Sequence, residues 1–291
     1  MEKVKLMTDS GSDISYENEA RYGIQVVPFK IALSDVSYIS RVDFDNDRFY
    51  RMMEESDSIP VTSQITPFEF AEIFEEHYSS GYTDVINVSI NSAGSATHEN
   101  SLLGAQDFFN AHPRAQDRFF IHNIDSSTYS GCYGFAVVEA AKMLEAGHSA
   151  VSVVRYIKDW CENVSAFFVP YTLKYASRSG RIPGIAAHMG NALGIKPIMR
   201  LCRHEISTAG KVLSEKQIIP ELIKRTVCEI EAGSPYCVIY GSDPSLRDEV
   251  AAAAAKCLGY APADSYQIGA AVAANAGPKV AGISYRMKKN R

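Results

Sequence analysis

No run of this 291-residue chain approaches the ~20 consecutive apolar residues that a membrane-spanning helix needs. Its opening stretch, MEKVKLMTDS, lacks the apolar core of a secretory signal. The six cysteines are scattered without a CxxC pair, and the seven histidines show neither HExxH nor another paired-ligand spacing. Neither a disulfide framework nor a resident metal site is therefore expected, and the cysteines read as reduced thiols of a cytoplasmic protein. Basic residues do not exceed acidic ones: 29 stand against 34, for a net charge of -5. That balance argues against a nucleic-acid binder, and the basic tail Arg286 to Arg291 reads as a solvated terminus. Neither GxxxxGKS/T nor a strand-linked GxGxxG occurs, so no phosphate-binding fingerprint is present. The GxSxG elbow of serine hydrolases, internal repeats and low-complexity segments are also missing.

What remains has the composition of an ordinary soluble globular protein, 46% hydrophobic and 22% charged. The length favours two domains over one core. Val4 to Met7, a helix over Ser15 to Tyr22 stopped by Gly23, and Ile24 to Leu33 give a βαβ opening, which predicts a parallel sheet. Strands at Val85 to Ile90 and Phe119 to Ile124 are each followed by a helical pattern. The strand–helix alternation changes after the helical stretch Val151 to Val164. An N-terminal parallel α/β domain over 1–155 is therefore expected, with a C-terminal α+β domain over 156–291. In the second half, Ala166 to Val169, Cys237 to Tyr240 and Val280 to Tyr285 read as strands. Ile195 to Leu201 and Glu205 to Thr208 read as a hairpin.

The stretch Asp84 to Asn110 organises the candidate site. A strand ends in Asn91-Ser92-Ala93-Gly94-Ser95-Ala96, and Thr97 then reads as the N-cap of a helix with Glu99 in its first turn. A strand that feeds a helix through a small polar loop is where open α/β sheets bind ligands, and free amides at the helix start favour an anionic group. The same residues also read as a capped turn with no ligand. The loop TDSGSD after the first strand resembles it, with Asp9 and Asp13 as turn and cap residues or as site residues. Thr62, Ser63 and Gln64 lie in a connector flanked by prolines, which orders hydroxyls at low entropic cost. Thr66 reads as the N-cap before Pro67. Arg181 stands between Gly180 and Gly184 and offers a planar fork to an acidic partner, or a solvated surface charge.

Taken in order, six segments resemble the DegV family of bacterial fatty-acid-binding proteins, the FakB components of fatty acid kinase. They are TDSGSDI, the TSQ of VTSQITPFEF, SAGSATHENS, IDSSTYSGCYG, LKYASRSGRI followed by IKPIM, and IGAAVAANAGPKVAG. The resemblance implies a two-domain α/β fold with an apolar tunnel between the domains. It implies a long-chain fatty acid as ligand and no other cofactor. The carboxylate would be held by Ser63 and Ser95 with Thr62 beside them, and Asn275 stands where the family carries a histidine. Arg181 would lie at the mouth, where a separate kinase docks. The implied role is in phospholipid synthesis: the acid is phosphorylated by the partner, with transient membrane contact at most. Lys279, Ser179 and Ile65 also depart from the family pattern.

This role is physically reasonable. Each buried methylene contributes about 0.8 kcal/mol, so about ten give some 8 kcal/mol before ordering costs. The tunnel supplies affinity, and neutral hydroxyls fix the head without the desolvation cost of a buried ion pair. Two other readings stand beside it. One is a hydrolase with Ser63 or Ser95 as nucleophile and His98 as the nearby base. The other is a sensor or interaction protein for which the lipid is a signal.

Overall fold

The computed structural model describes residues 2–182 and 194–288. Gly184 and the last three residues of the basic tail lie outside the described residues.

The chain opens with β1 (Val4–Asp9) and α1 (Tyr16–Tyr22). The Ser15 hydroxyl caps α1 by accepting from the Asn18 amide, and Gly23 at φ 60° ends it. The apolar run after Gly23 is not one strand. Pro28 has no amide to donate, and the run divides there into β2 (Gln25–Val27) and β3 (Lys30–Leu33). β3 turns back as β4 (Val36–Ile39). Then come α2 (Asn46–Glu55), β5 (Val61–Ser63), α3 (Pro67–Ser79), β6 (Asp84–Ser89), α4 (Thr97–Ala111), β7 (Phe120–Asp125), α5 (Gly131–Glu145) and α6 (Ala150–Asn163). Thr66 caps α3 as expected, in a capping box with Glu69.

β2, β1, β6 and β7 form a four-stranded sheet in that order, parallel throughout. Beside it, β4, β3 and β5 make a small antiparallel sheet that the sequence pattern did not reveal. The second half contains β8 (Val164–Pro170), α7 (Ala176–Ser179), β9 (Lys196–Cys202), β10 (Glu205–Val212), α8 (Ile218–Glu229), β11 (Tyr236–Tyr240), α9 (Pro244–Leu258), β12 (Asp264–Gln267), α10 (Ala270–Ala276) and β13 (Val280–Arg286). Its six-stranded sheet runs β10-β9-β8-β13-β11-β12 and is mixed, with β11–β12 its parallel pair. The two-domain α/β architecture with a parallel and a mixed sheet is thus present.

The division of the chain comes later than expected. α6 runs unbroken through residue 155 and buries Val153, Ile157 and Trp160 in one core, so the change of sheet falls at Val164. The basic tail is also less free than expected. Arg286 is a strand residue paired with Asp159 at 2.7 Å and Glu231 at 3.0 Å.

α5 is the central helix. It packs on β1 and also on β8, β11 and β13, so small and apolar residues fill nearly its whole length. Trp160 of α6 donates from Nε1 to the Cys132 carbonyl at 2.7 Å and ties the helix pair. The carboxyl ends of β1, β6 and β7 open toward the second sheet beside the start of α5. A cavity lies there.

Candidate functional site

The cavity encloses about 1000 Å³, its open mouth included. Its apolar wall comes largely from the inner face of the mixed sheet. Ile206, Leu201 and Ala166 lie in one cross-strand row, and Phe168 and Ile239 flank Gly282 in the next. Phe29, Ile90, Ile268 and Val280 complete it. Thr62, Gln64, Ser95, Tyr129, Ser130, Arg181 and Asn275 also line it. A space of this kind, mostly greasy with a few converging polar groups, suits an amphiphile.

Four expected site residues meet here: Thr62, Ser95, Asn275 and Arg181. Ser63 does not. In β5 successive side chains point to opposite faces. Thr62 pairs with the fully buried Ile31 and faces inward, whereas Ser63 pairs with exposed Lys30 on the outer face. Within β5 the pleat gives the inward position to Thr62, and Gln64, just past the strand's end, also lines the cavity although it was not named as a site residue. This corrects the expectation for Ser63.

The loop bearing Ser95 is held rigidly by its own backbone. The Asn91 amide donates to the Thr128 carbonyl at 3.0 Å, and the Gly94 and Ser95 amides donate to the Asn91 carbonyl at 3.1 Å. A Cβ at Gly94 would fall 2.2 Å from the Tyr129 hydroxyl, so a larger residue there has to displace that ring. Thr97 is not the N-cap expected from the sequence. It is the first residue of α4, and Ser95 Oγ accepts from its amide at 3.3 Å and shares 2.9 Å with its hydroxyl. No histidine among the described residues hydrogen-bonds Ser95. His98 keeps its Nδ1 buried without a partner, and burial lowers its pKa. Among the described residues, the nucleophile–base pair that a hydrolase needs is therefore not assembled around Ser95.

A second clamp comes from the mixed sheet. Arg203 and His204 form the tip of the β9–β10 hairpin, with φ of 44° and 70°. The His204 amide donates to the Ser127 carbonyl at 2.9 Å. Asn91 Nδ2 donates to the His204 carbonyl at 3.1 Å, and His204 Nδ1 meets Asn91 Oδ1 at 2.8 Å. The hairpin was legible in sequence, but not that its tip docks on the Ser95 loop.

Arg181 is exposed at the mouth. Its Nη1 donates to the Ser179 carbonyl at 2.7 Å, and it has no acidic partner among the described residues. Asn275 is anchored by its own helix, Nδ2 donating to the Ala271 carbonyl at 2.9 Å. One of the two Nδ2 hydrogens is thereby used, and the second, with the oxygen, is left for a ligand. Cys132 also lines the cavity, but burial pushes its thiol up to about 12, which keeps it unreactive.

Two buried carboxyls frame the opposite side of the β1 loop. Asp9 accepts from the Ile90 and Gly11 amides at 2.6 and 2.9 Å and from the Tyr133 hydroxyl at 2.7 Å, joining β1, β6 and α5. Burial raises it to about 6 against those hydrogen bonds. Asp13 accepts from the Gly269 amide at 2.8 Å, linking the halves of the chain, and burial raises it to about 7. Among the described residues, no cluster of three or more His, Cys, Asp or Glu could hold a metal ion. No helix there is long and apolar enough to cross a membrane.

A family model described as an uncharacterised protein of the DegV family matches residues 3–288. A DegV domain-containing protein of Caldanaerobacter subterraneus subsp. tengcongensis is 30% identical over 99% of this chain and 100% of its own length. A Thermus thermophilus structure described as fatty acid binding of a DegV family protein superposes at TM-score 0.82. It is 26% identical and covers 98% of this chain and 99% of that one. A stearic acid-binding protein of Eubacterium ventriosum superposes at TM-score 0.86 with 21% identity, covering 98% and 97% of the two chains.

Proposed function

We propose that this chain, which belongs to the DegV family, holds a long-chain fatty acid in the cavity between its sheets and presents the carboxylate to a separate kinase. The observation that carries the reading is an apolar wall that meets uncharged hydroxyls at the edge of the parallel sheet. The 26% identity to a fatty-acid-binding DegV protein over nearly both whole chains supports it.

Thr62 and Ser95 hold the carboxylate by donating from hydroxyls. Neutral donors leave the carboxylate charged and nucleophilic, as transfer of a phosphoryl group to it requires. Asn275 keeps one Nδ2 hydrogen free and adds a further neutral donor for the carboxylate. Arg181, exposed at the mouth and without an acidic partner among the described residues, attracts the anionic head during entry and meets the kinase and its phosphoryl donor. The acyl phosphate then leaves for phospholipid synthesis in the cytoplasm.

Mass spectrometry of lipid released from freshly purified, denatured protein tests the binding half. A stoichiometric C14–C20 acid is expected, and absence of any acyl species overturns it. Acyl phosphate formation from ATP with a fatty acid kinase catalytic protein tests the second half. A chain that binds the acid tightly yet supports no transfer with its cognate kinase is a sensor rather than a carrier.

A further inference from the structure

The Ser95 loop hangs on one buried residue, Asn91, whose backbone carbonyl holds the Gly94 and Ser95 amides. The Asn91 side chain is fixed as well. The Ala93 amide donates to Oδ1 at 3.0 Å, which settles which end of the side-chain amide is the oxygen. Nδ2 donates to the His204 carbonyl at 3.1 Å, and His204 Nδ1 stands 2.8 Å from the same Oδ1. That oxygen only accepts, so Nδ1 carries the proton. Asp125 Oδ2, 3.8 Å from Nδ1, favours the proton there too. In the neutral ring Nε2 is then the bare nitrogen, and it accepts from the Ser127 hydroxyl at 3.0 Å.

The ring is not what docks the hairpin. The His204 amide on the Ser127 carbonyl and the His204 carbonyl under Asn91 Nδ2 do that with backbone atoms alone. The ring stands at φ 70°, a region that side chains enter at a cost. What it adds is a second donor on the Asn91 oxygen. The same hairpin carries Leu201 and Ile206 of the apolar wall, Ile206 only two residues from the tip.

We infer that His204 is a positioning residue for the head-group site: its ring, from the second half of the chain, fixes Asn91 and through it the place of the Ser95 hydroxyl. The inference rests on the fatty-acid reading above. His204 acts through Asn91 and not on the acid itself. One hairpin thereby serves both ends of the ligand, its strands walling the tail and its tip holding the loop that receives the head.

Delipidated wild type, His204→Gly and His204→Asn are compared by palmitate and hexadecanol titration and by thermal melting. Glycine removes the ring and relieves the positive φ, while both backbone hydrogen bonds of the tip remain. Asparagine tolerates the same φ and carries an amide nitrogen in the place of Nδ1. His204→Gly should bind palmitate about fivefold more weakly, as for one hydrogen bond lost. Its hexadecanol affinity should change by less than about twofold, with melting near that of wild type. His204→Asn should recover most of the palmitate affinity. Equal weakening of both ligands, or an asparagine variant no better than the glycine one, overturns the inference and leaves the fatty-acid reading intact. Unchanged palmitate affinity in His204→Gly does the same. So does failure of that variant to fold, since the ring would then hold the fold rather than the site. Wild type that binds no palmitate overturns the fatty-acid reading itself.

Discussion

The two sheets meet one cavity with opposite chemistry. The parallel sheet contributes the ends of its strands: the loops after β6 and β7 bring Ser95, Tyr129 and Ser130. The mixed sheet contributes the faces of its strands: Ala166, Phe168, Leu201, Ile206 and Ile239 stand on hydrogen-bonded backbone. Strand ends leave amides and small polar side chains free, whereas strand faces present branched and aromatic carbon. Head and tail of an amphiphile are thus recognised by different parts of the chain. The division is not complete, since Phe29 and Ile90 are apolar residues of the first half and Asn275 and Arg181 polar ones of the second.

The largest difference between the halves is electrostatic. Asp9 and Asp13 have folded-state pKa values raised by burial to about 6 and about 7, above the ordinary 3.8. The folded state therefore binds more protons than the unfolded one between those limits. Their contribution to stability is present below pH 4 and is lost as pH rises through 6 and 7. Going from pH 5 to pH 8 should cost about 4 kcal/mol in denaturant unfolding, and Asp13→Asn should remove more than half of that change. A flat profile would show that the two carboxyls are compensated elsewhere.

The next effect lies on the apolar wall. Phe168→Ala should weaken palmitate binding by about 2 kcal/mol. Hexadecanol, which has the same chain and no carboxylate, should lose as much. Ser95→Ala should do the opposite, weakening palmitate by about 1–2 kcal/mol and leaving hexadecanol unchanged. Both ligands responding alike to both substitutions would abolish the division of labour. Arg181→Ala should change palmitate affinity by less than about 0.5 kcal/mol while slowing phosphoryl transfer with the kinase. Ser63→Ala should change neither by more than about 0.5 kcal/mol, because Ser63 lies on the outer face of the small sheet.

The pair Thr62 and Ser63 shows where sequence reading stops. Both were legible as ordered hydroxyls near prolines. Which one faces inward depends on the pleat of a three-residue strand, and a one-residue shift exchanges the faces. β4 and β5 are too short for alternation to register, so the small sheet that aims Thr62 was invisible. The loop around Ser95 was readable because a fully buried strand of six residues and a helix of fifteen flank it, both long enough to register in sequence. The cap was misplaced by one residue: Ala96 holds the N-cap position without a side-chain hydrogen bond, between two hydroxyl residues that the local pattern favours for the role. The boundary near residue 155 was drawn where the pattern changed, but a helix crosses it to pack on both halves.

The most direct test of the central claim is palmitate titration of delipidated protein by calorimetry. The account predicts saturable binding of one palmitate per chain with a negative heat-capacity change, as burial of an acyl chain requires. Binding that does not saturate, or that saturates equally well after Leu201 and Ile239 are both replaced by glutamate in a variant that still folds, would contradict it.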